Sequence, residues 1–170
     1  MTTSPVCSSC GAQKAPNTCE LCNKSICKNC LEHVDSETFS FFTKLPAKLK
    51  KANFCPLCYD AEILPEKVRY GAIMERAKDV YFLTKAYPGY IRVLRRHTKR
   101  VSIPTCDDRK ETILRMAFMA AELNFNAIIE AEVLSRKIRK GDYQSSLWAG
   151  SAMPALIDGE QLERTSLKRI

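Results

Sequence analysis

The chain has 170 residues, of which 45% are hydrophobic and 27% charged, with nine cysteines and a formal net charge of +8. That length holds one ordinary domain, or a small metal-stapled module joined to a compact second domain. No stretch approaches the roughly 18 uninterrupted apolar residues of a membrane span, and the opening MTTSPVCSSC carries no apolar run of the kind that directs export, so the expected setting is a reducing cytoplasm, where paired cysteines hold metal.

Eight of the nine cysteines lie between Cys7 and Cys58. They form four Cys-x-x-Cys pairs, Cys7 and Cys10, Cys19 and Cys22, Cys27 and Cys30, Cys55 and Cys58, separated by eight, four and twenty-four residues. Each pair offers two thiolates from one tight knuckle. Zinc takes four such ligands in a tetrahedron, so four knuckles predict two zinc ions. Eight thiols for two ions close both coordination shells, which is the pattern of structural zinc and not of catalytic zinc. A thiol-disulfide couple does not need four repeats of one spacing, and the ferredoxin spacings of an iron–sulfur protein are absent. Only Asn23 to Ile26 separate the second and third knuckles, so these two close awkwardly on one ion. A cross-brace, first knuckle with third and second with fourth, avoids that difficulty; sequential pairing, first with second and third with fourth, stays open. His33 is expected to be an exposed loop residue.

The run C19-E-L-C22-N-K-S-I-C27-K-N-C30, followed by F54-C55-P-L-C58-Y59, resembles a FYVE-type zinc finger over about residues 5–62. The resemblance implies a cross-braced, two-zinc fold. It does not bring the phosphoinositide site of such fingers: where that family carries bases, Cys19 here is preceded by Ala-Pro-Asn-Thr and followed by Glu20, and Cys55 is preceded by Asn53-Phe54. A protein-docking or purely structural variant is expected. A zinc-dependent ubiquitin ligase would share the cross-brace, but the central histidine expected of that class is missing. Between the third and fourth knuckles, Phe39, Phe41 and Phe42 are expected to fold over the metal core, and Lys48, Lys50 and Lys51 to form a solvated face.

Past Cys58, Pro65 suits a first helical turn, and Val68, Ala72, Ile73, Ala77 and Val80 recur at helical spacing. A connecting helix over about 65–79 follows, with Gly71 its weakest point. Val80 to Thr84 and Tyr90 to Ile103 read as two strands joined by a Pro88-Gly89 turn. Asp107 or Asp108 caps an apolar helix that runs to about Leu123, through Ile113, Leu114, Ala117, Ala120 and Ala121. A turn at Asn124-Phe125-Asn126 leads to a strand from Ala127, and Gly141-Asp142 turns it into a last strand from Tyr143. The expected architecture is α+β: a small zinc finger over 1–62, a helical connector over 63–79, a compact ββαββ domain over 80–158 and a charged tail over 159–170.

The segments F82-L-T-K-A-Y-P-G-Y90, A120-A-E-L-N-F-N-A-I-I-E-A-E-V133 and W148-A-G-S-A-M-P-A155 resemble the start, centre and end of the YbjQ-like family of putative heavy-metal-binding domains. That resemblance implies ring-shaped pentamers. Two departures stand out: the stretch between Val101 and Asp107 is shorter than the family's usual connection, and Asn124-Phe125-Asn126 replaces a glycine-containing turn. The family's metal label finds no ligand set here, since His97 and Cys106 are the only soft ligands in this half.

Residues 1–64 carry seven Lys/Arg against six Asp/Glu, and residues 65–170 carry twenty against thirteen. The basic excess is concentrated in Arg92, Arg95, Arg96, Lys99 and Arg100 on one strand and Arg136, Lys137, Arg139 and Lys140 on another. Were these strands neighbours, they would form one basic surface for phosphate; the competing reading is an exposed sheet face whose bases guard an edge. No nucleophile triad, phosphate loop or paired catalytic carboxylates are found. The expected function is that of a non-enzymatic zinc-binding adaptor or scaffold, whose zinc module docks a protein partner and whose second domain assembles a homo-oligomer. The alternative is a binder of nucleic acid or of anionic phospholipid headgroups through the basic clusters.

Overall fold

The structure is a computed structural model that describes residues 5–141 and 143–159. The chain divides into two compact units between Gly71 and Ala72. The first has little regular structure. Strands β1 (Asn17–Thr18) and β2 (Ser25–Ile26) form one two-stranded antiparallel sheet, and β3 (Glu32–His33) and β4 (Asn53–Phe54) form another. Three short 3-10 turns lie at Lys28–Cys30, Ser36–Phe39 and Ala47–Lys50. Helix α1 (Pro56–Cys58) starts with proline in its first turn, where no amide is needed. It passes through a π-helical turn at Tyr59–Ile63 into α2 (Leu64–Lys78).

Two apolar clusters hold this unit. One gathers Cys7, Ala15, Cys19, Ile26, Cys27 and Cys55. The other gathers Val34, Phe39, Leu49, Phe54 and Ile63, with Phe42, Leu45, Tyr59 and Tyr70 packed on it. Phe39 is buried, and Tyr70 meets the rings of Phe39 and Phe42 edge-on at 5.5 and 5.2 Å. Of the three phenylalanines between the third and fourth knuckles, Phe39 is interior, while Phe41 and Phe42 are half-buried. Lys48 is tied to Glu62 at 3.1 Å and to Glu66 at 3.5 Å.

The second unit differs from the expected ββαββ order. The stretch read as one strand over Tyr90–Ile103 is two, β6 (Val93–Arg96) and β7 (Val101–Cys106), broken where His97 to Arg100 turn. The turn is closed by the His97 ring, whose Nδ1 lies 3.2 Å from the amide of Lys99. Together with β5 (Tyr81–Thr84), α3 (Arg109–Glu122), β8 (Ala127–Lys140) and β9 (Tyr143–Ile157), the order is βββαββ. The sheet order is β5-β8-β9-β6, with β7 also paired to β9. Only β5 and β8 run parallel. The expected charged tail at 159–170 lies, apart from Gly159, outside the described residues.

Helix α3 begins where Asp108 accepts a hydrogen bond from the amide of Glu111 at 2.9 Å. It ends on Asn124, in the left-handed region at φ 60°, with the amide of Phe125 bonded to the carbonyl of Ala120 at 2.9 Å. Its apolar face, Ile113, Met116, Ala117, Phe118, Ala120 and Ala121, is buried. Gly150 on β9 is required there, because a Cβ would stand 2.8 Å from the Met116 methyl and 2.9 Å from Thr112 Cγ2. A further cluster contains Tyr81, Leu83, Ala127, Ile129, Ala155 and Ile157. Ile128, between Ala127 and Ile129, is also fully buried, so the start of β8 is apolar on both faces, as a strand next to a parallel neighbour requires.

Phe118 is fully buried, and its replacement by alanine is expected to destabilise this unit by about 3–5 kcal/mol. Leu94, 56% exposed, should change stability by under about 0.5 kcal/mol when made alanine. Urea unfolding followed by the fluorescence of Trp148, the only tryptophan, reads both.

Candidate metal centre

The eight knuckle cysteines gather into two tetrads, Cys7, Cys10, Cys27 and Cys30 in one, Cys19, Cys22, Cys55 and Cys58 in the other. The first knuckle is thus joined to the third and the second to the fourth. Within each tetrad all four sulfurs lie within 4.8 Å of one another. The Cys10 and Cys27 sulfurs are 3.6 Å apart, and those of Cys22 and Cys55 3.8 Å. Four thiolates about 2.3 Å from one tetrahedral ion lie roughly 3.8 Å from each other. Each tetrad therefore has the dimensions to hold a single metal ion.

Each site is built from two kinds of knuckle. In the first and second, the residue after the second cysteine turns left-handed: Gly11 at φ 75° and Asn23 at φ 58°. Their amides donate to the carbonyls of Cys7 and Cys19 at 2.9 and 2.8 Å. Glycine, and to a lesser degree asparagine, accept that conformation at low cost. In the third and fourth knuckles the chain instead enters a helical turn. Cys30 donates its amide to Cys27 at 3.2 Å, and Tyr59 donates to Cys55 at 2.9 Å as α1 begins. The Cys58 amide also points at the Cys55 sulfur, 3.5 Å away. Each tetrad takes one left-handed knuckle and one helical knuckle. Gly11 and Asn23 are site-shaping residues that the cysteine count passes over, although a Gly or Asn directly after C-x-x-C signals them.

The electrostatics of the sulfurs fit a cation. Backbone amides from Cys27, Cys10 and Ser9 bring the Cys7 thiol down to about 6. For Cys19, burial opposes ionisation, but the amides of Cys22, Cys55 and Leu21 outweigh it and hold the thiol at about 6. Three other sulfurs bear the cost of that charge. Cys30 is pushed up to about 12 because its thiol is held as a donor by the sulfurs of Cys10 and Cys27. Cys58 is raised by burial and then by its contacts with Cys55, Cys22 and Cys19, and Cys55 is raised first by burial. Four thiolates this close repel one another unless a divalent ion lies between them.

His33 joins neither tetrad; it is exposed on β3, with Nδ1 3.2 Å from the Asn53 side-chain oxygen. Glu20, inside the second knuckle, accepts the amides of Ala52 and Asn53 at 3.3 and 3.1 Å, and its carbonyl accepts from Lys51 Nζ. The acid that departs from the FYVE pattern thus braces the chain leading into the fourth knuckle. In the second unit Cys106 is buried in β7.

The strands that carry the two basic clusters are not neighbours, because β9 stands between β6 and β8, so the condition for one joint basic surface is not met. The first cluster is largely neutralised. Arg92 faces Asp158 at 3.9 Å, Arg96 reaches Glu130 at 2.9 Å, and Arg100 reaches the same carboxylate at 3.4 Å. Arg95 lies over the Phe125 ring, 4.8 Å from its centre. Arg136, Lys137 and Arg139 lie further along β8 and are exposed; the side chain of Lys140 lies outside the described residues.

No protein-family model matches the chain, and no curated protein or solved structure is significantly similar to it. Its zinc-finger character rests on the two tetrads, and the FYVE-type and YbjQ-like resemblances gain no support from those comparisons. Among the described residues, no helix is long and apolar enough to cross a membrane.

Paired substitutions test the pairing of the knuckles. Cys7→Ser with Cys27→Ser damages one tetrad and should lose one metal equivalent per chain, whereas Cys7→Ser with Cys19→Ser damages both and should lose two. Sequential pairing gives the opposite result. Metal released into a colorimetric chelator after acid treatment counts the equivalents.

Proposed function

We propose that the chain is a non-enzymatic zinc protein, an adaptor in which two structural zinc ions fold the first unit as a cross-braced, FYVE-type docking module. The observation that carries this reading is the completeness of both tetrads: four sulfurs per site within 4.8 Å fill a tetrahedral zinc shell and leave no position for substrate or water. The close sulfur spacing suits one ion per tetrad, and thiolate donors favour zinc over the hard cations. In this reading Cys7, Cys10, Cys27 and Cys30 hold one zinc and Cys19, Cys22, Cys55 and Cys58 the other. A structural zinc contributes on the order of ten kcal/mol to folding in small modules. That is the scale needed by a unit whose strands are two residues long.

The setting that keeps eight thiols reduced is the cytoplasm. The second unit would display the zinc module, and its assembly into a homo-oligomer, a pentamer by the YbjQ-like resemblance, would multiply a weak contact with a protein partner through avidity.

Native mass spectrometry of protein purified without added metal, under reducing conditions, tests the reading. Two zinc ions per chain and more than one chain per particle are the expected result; metal-free chains overturn the zinc assignment, and a monomer overturns the assembly. A strong chelator should then abolish amide protection between Cys7 and Cys58 in hydrogen exchange while leaving α3 and β8 protected.

A further inference from the structure

We propose that the outer half of the β8–β9 hairpin is a nucleic-acid arm, a two-stranded basic ribbon that enters the major groove of duplex DNA. β5 accompanies β8 only from Ala127 to Ala131, and β7 accompanies β9 no further than Trp148. Beyond those points the two strands pair only with each other among the described residues, from Arg136 opposite Leu147 to Lys140 opposite Tyr143. From Leu134 to Lys140 this ribbon is about 20 Å long at the rise of a strand. The major groove of B-DNA admits a ribbon of two strands.

Register and alternation separate its two faces. One carries Ser135, Lys137 and Arg139 on β8 and their partners Trp148, Ser146 and Gln144 on β9. Every one of these is a hydrogen-bonding side chain, none is an acid, and Lys, Arg, Gln and Ser are the types that contact phosphates and base edges. The other face carries Leu134, Arg136 and Ile138 on β8 opposite Ala149, Leu147 and Ser145 on β9.

The charges point the same way. Arg92, Arg96 and Arg100 already face Asp158 and Glu130. Arg136, Lys137 and Arg139 have no carboxylate within ion-pair distance among the described residues, and all three are solvent-exposed on the ribbon. Their charge is therefore available to phosphate. A-form duplexes have a major groove too deep and narrow for side chains to read, which makes duplex DNA, and not duplex RNA, the occupant.

The test uses the full-length zinc-loaded chain and a fluorescein-labelled 20-base-pair DNA duplex of mixed sequence, with anisotropy read at 50 and 200 mM salt. Three phosphate contacts predict that affinity falls about 40-fold between those salts, and Lys137→Ser with Arg139→Ser should reduce that drop to about 4-fold. Lys24→Ser with Lys28→Ser removes the same charge from the first unit and should leave binding unchanged. The charge-preserving pair Lys137→Arg with Arg139→Lys should keep the full salt dependence, so loss of charge is separated from loss of fold. Four outcomes overturn the proposal: no duplex binding at 50 mM salt, an unaltered salt dependence in the serine variant, equal affinity for a duplex RNA of the same length, or equal binding to vesicles containing phosphatidylserine. None of them touches the zinc reading, which is decided by metal content.

Discussion

The first unit depends on the mutual repulsion of thiolates held too close together. Amides at Cys7 and Cys19 stabilise two of the negative charges, while Cys30, Cys55 and Cys58 are pushed away from ionisation by burial and by the neighbouring sulfurs. A dication removes that conflict at each site in one step. Because the first knuckle joins the third and the second joins the fourth, the span that closes one tetrad contains a knuckle of the other. The two sites are therefore interlocked along the chain, and an ion in either tetrad would hold ligands of the other near their final positions. The apolar clusters adjoin the tetrads: one is built largely of the tetrad cysteines themselves, and the other contains Phe54, directly before Cys55.

The second unit keeps its fold by ordinary burial. Its helix is capped at both ends, by Asp108 and by the left-handed Asn124, and its apolar face closes over a sheet that thins to a glycine at the point of closest approach. Asn126 then acts as an extra strand residue. Its side-chain amide donates to the carbonyl of Ile157 at 2.9 Å, and its oxygen accepts the amide of Ile157 at 2.8 Å. The Asn-Phe-Asn turn is thus specific to its place: the first asparagine ends the helix, Phe125 is buried, and the second fixes the register of β9.

Much of this was legible in the residues. Four identical cysteine spacings and the short interval between Cys22 and Cys27 favour the cross-brace without any geometry, and the ends of α3 are marked by Asp107 or Asp108 and by the turn at Asn124-Phe125-Asn126, although which aspartate caps it is not. The strands of the second unit were less legible. Y-I-R-V-L-R-R-H-T-K-R-V-S-I has β-favouring residues at both ends and, between them, a polar run with neither glycine nor proline, so no turn residue marks its break. The break is made by the His97 ring turning onto the backbone of Lys99 and by the need of both β6 and β7 to reach the same edge of β9. Strand order was equally hidden, because it is settled by long-range pairing and not by local propensity.

The same limit explains why two runs of basic residues that look alike in sequence differ in the fold. Glu130 sits where the β8–β9 register shifts between Ile129 and Glu132, with its backbone in the left-handed region at φ 51°. That conformation is unfavourable for a residue with a Cβ and persists only where its surroundings hold it. Here Arg96 and Arg100 grip its carboxylate, and Arg100 also donates to its carbonyl at 2.8 Å. A bulge thus consumes two of the first cluster's charges in stabilising the sheet. The regular ladder further along β8 makes no such demand, and Arg136, Lys137 and Arg139 stay exposed. Which arginines are structural and which are available is decided by one irregularity in a strand, and A-I-I-E-A-E-V gives no sign of which glutamate will occupy it.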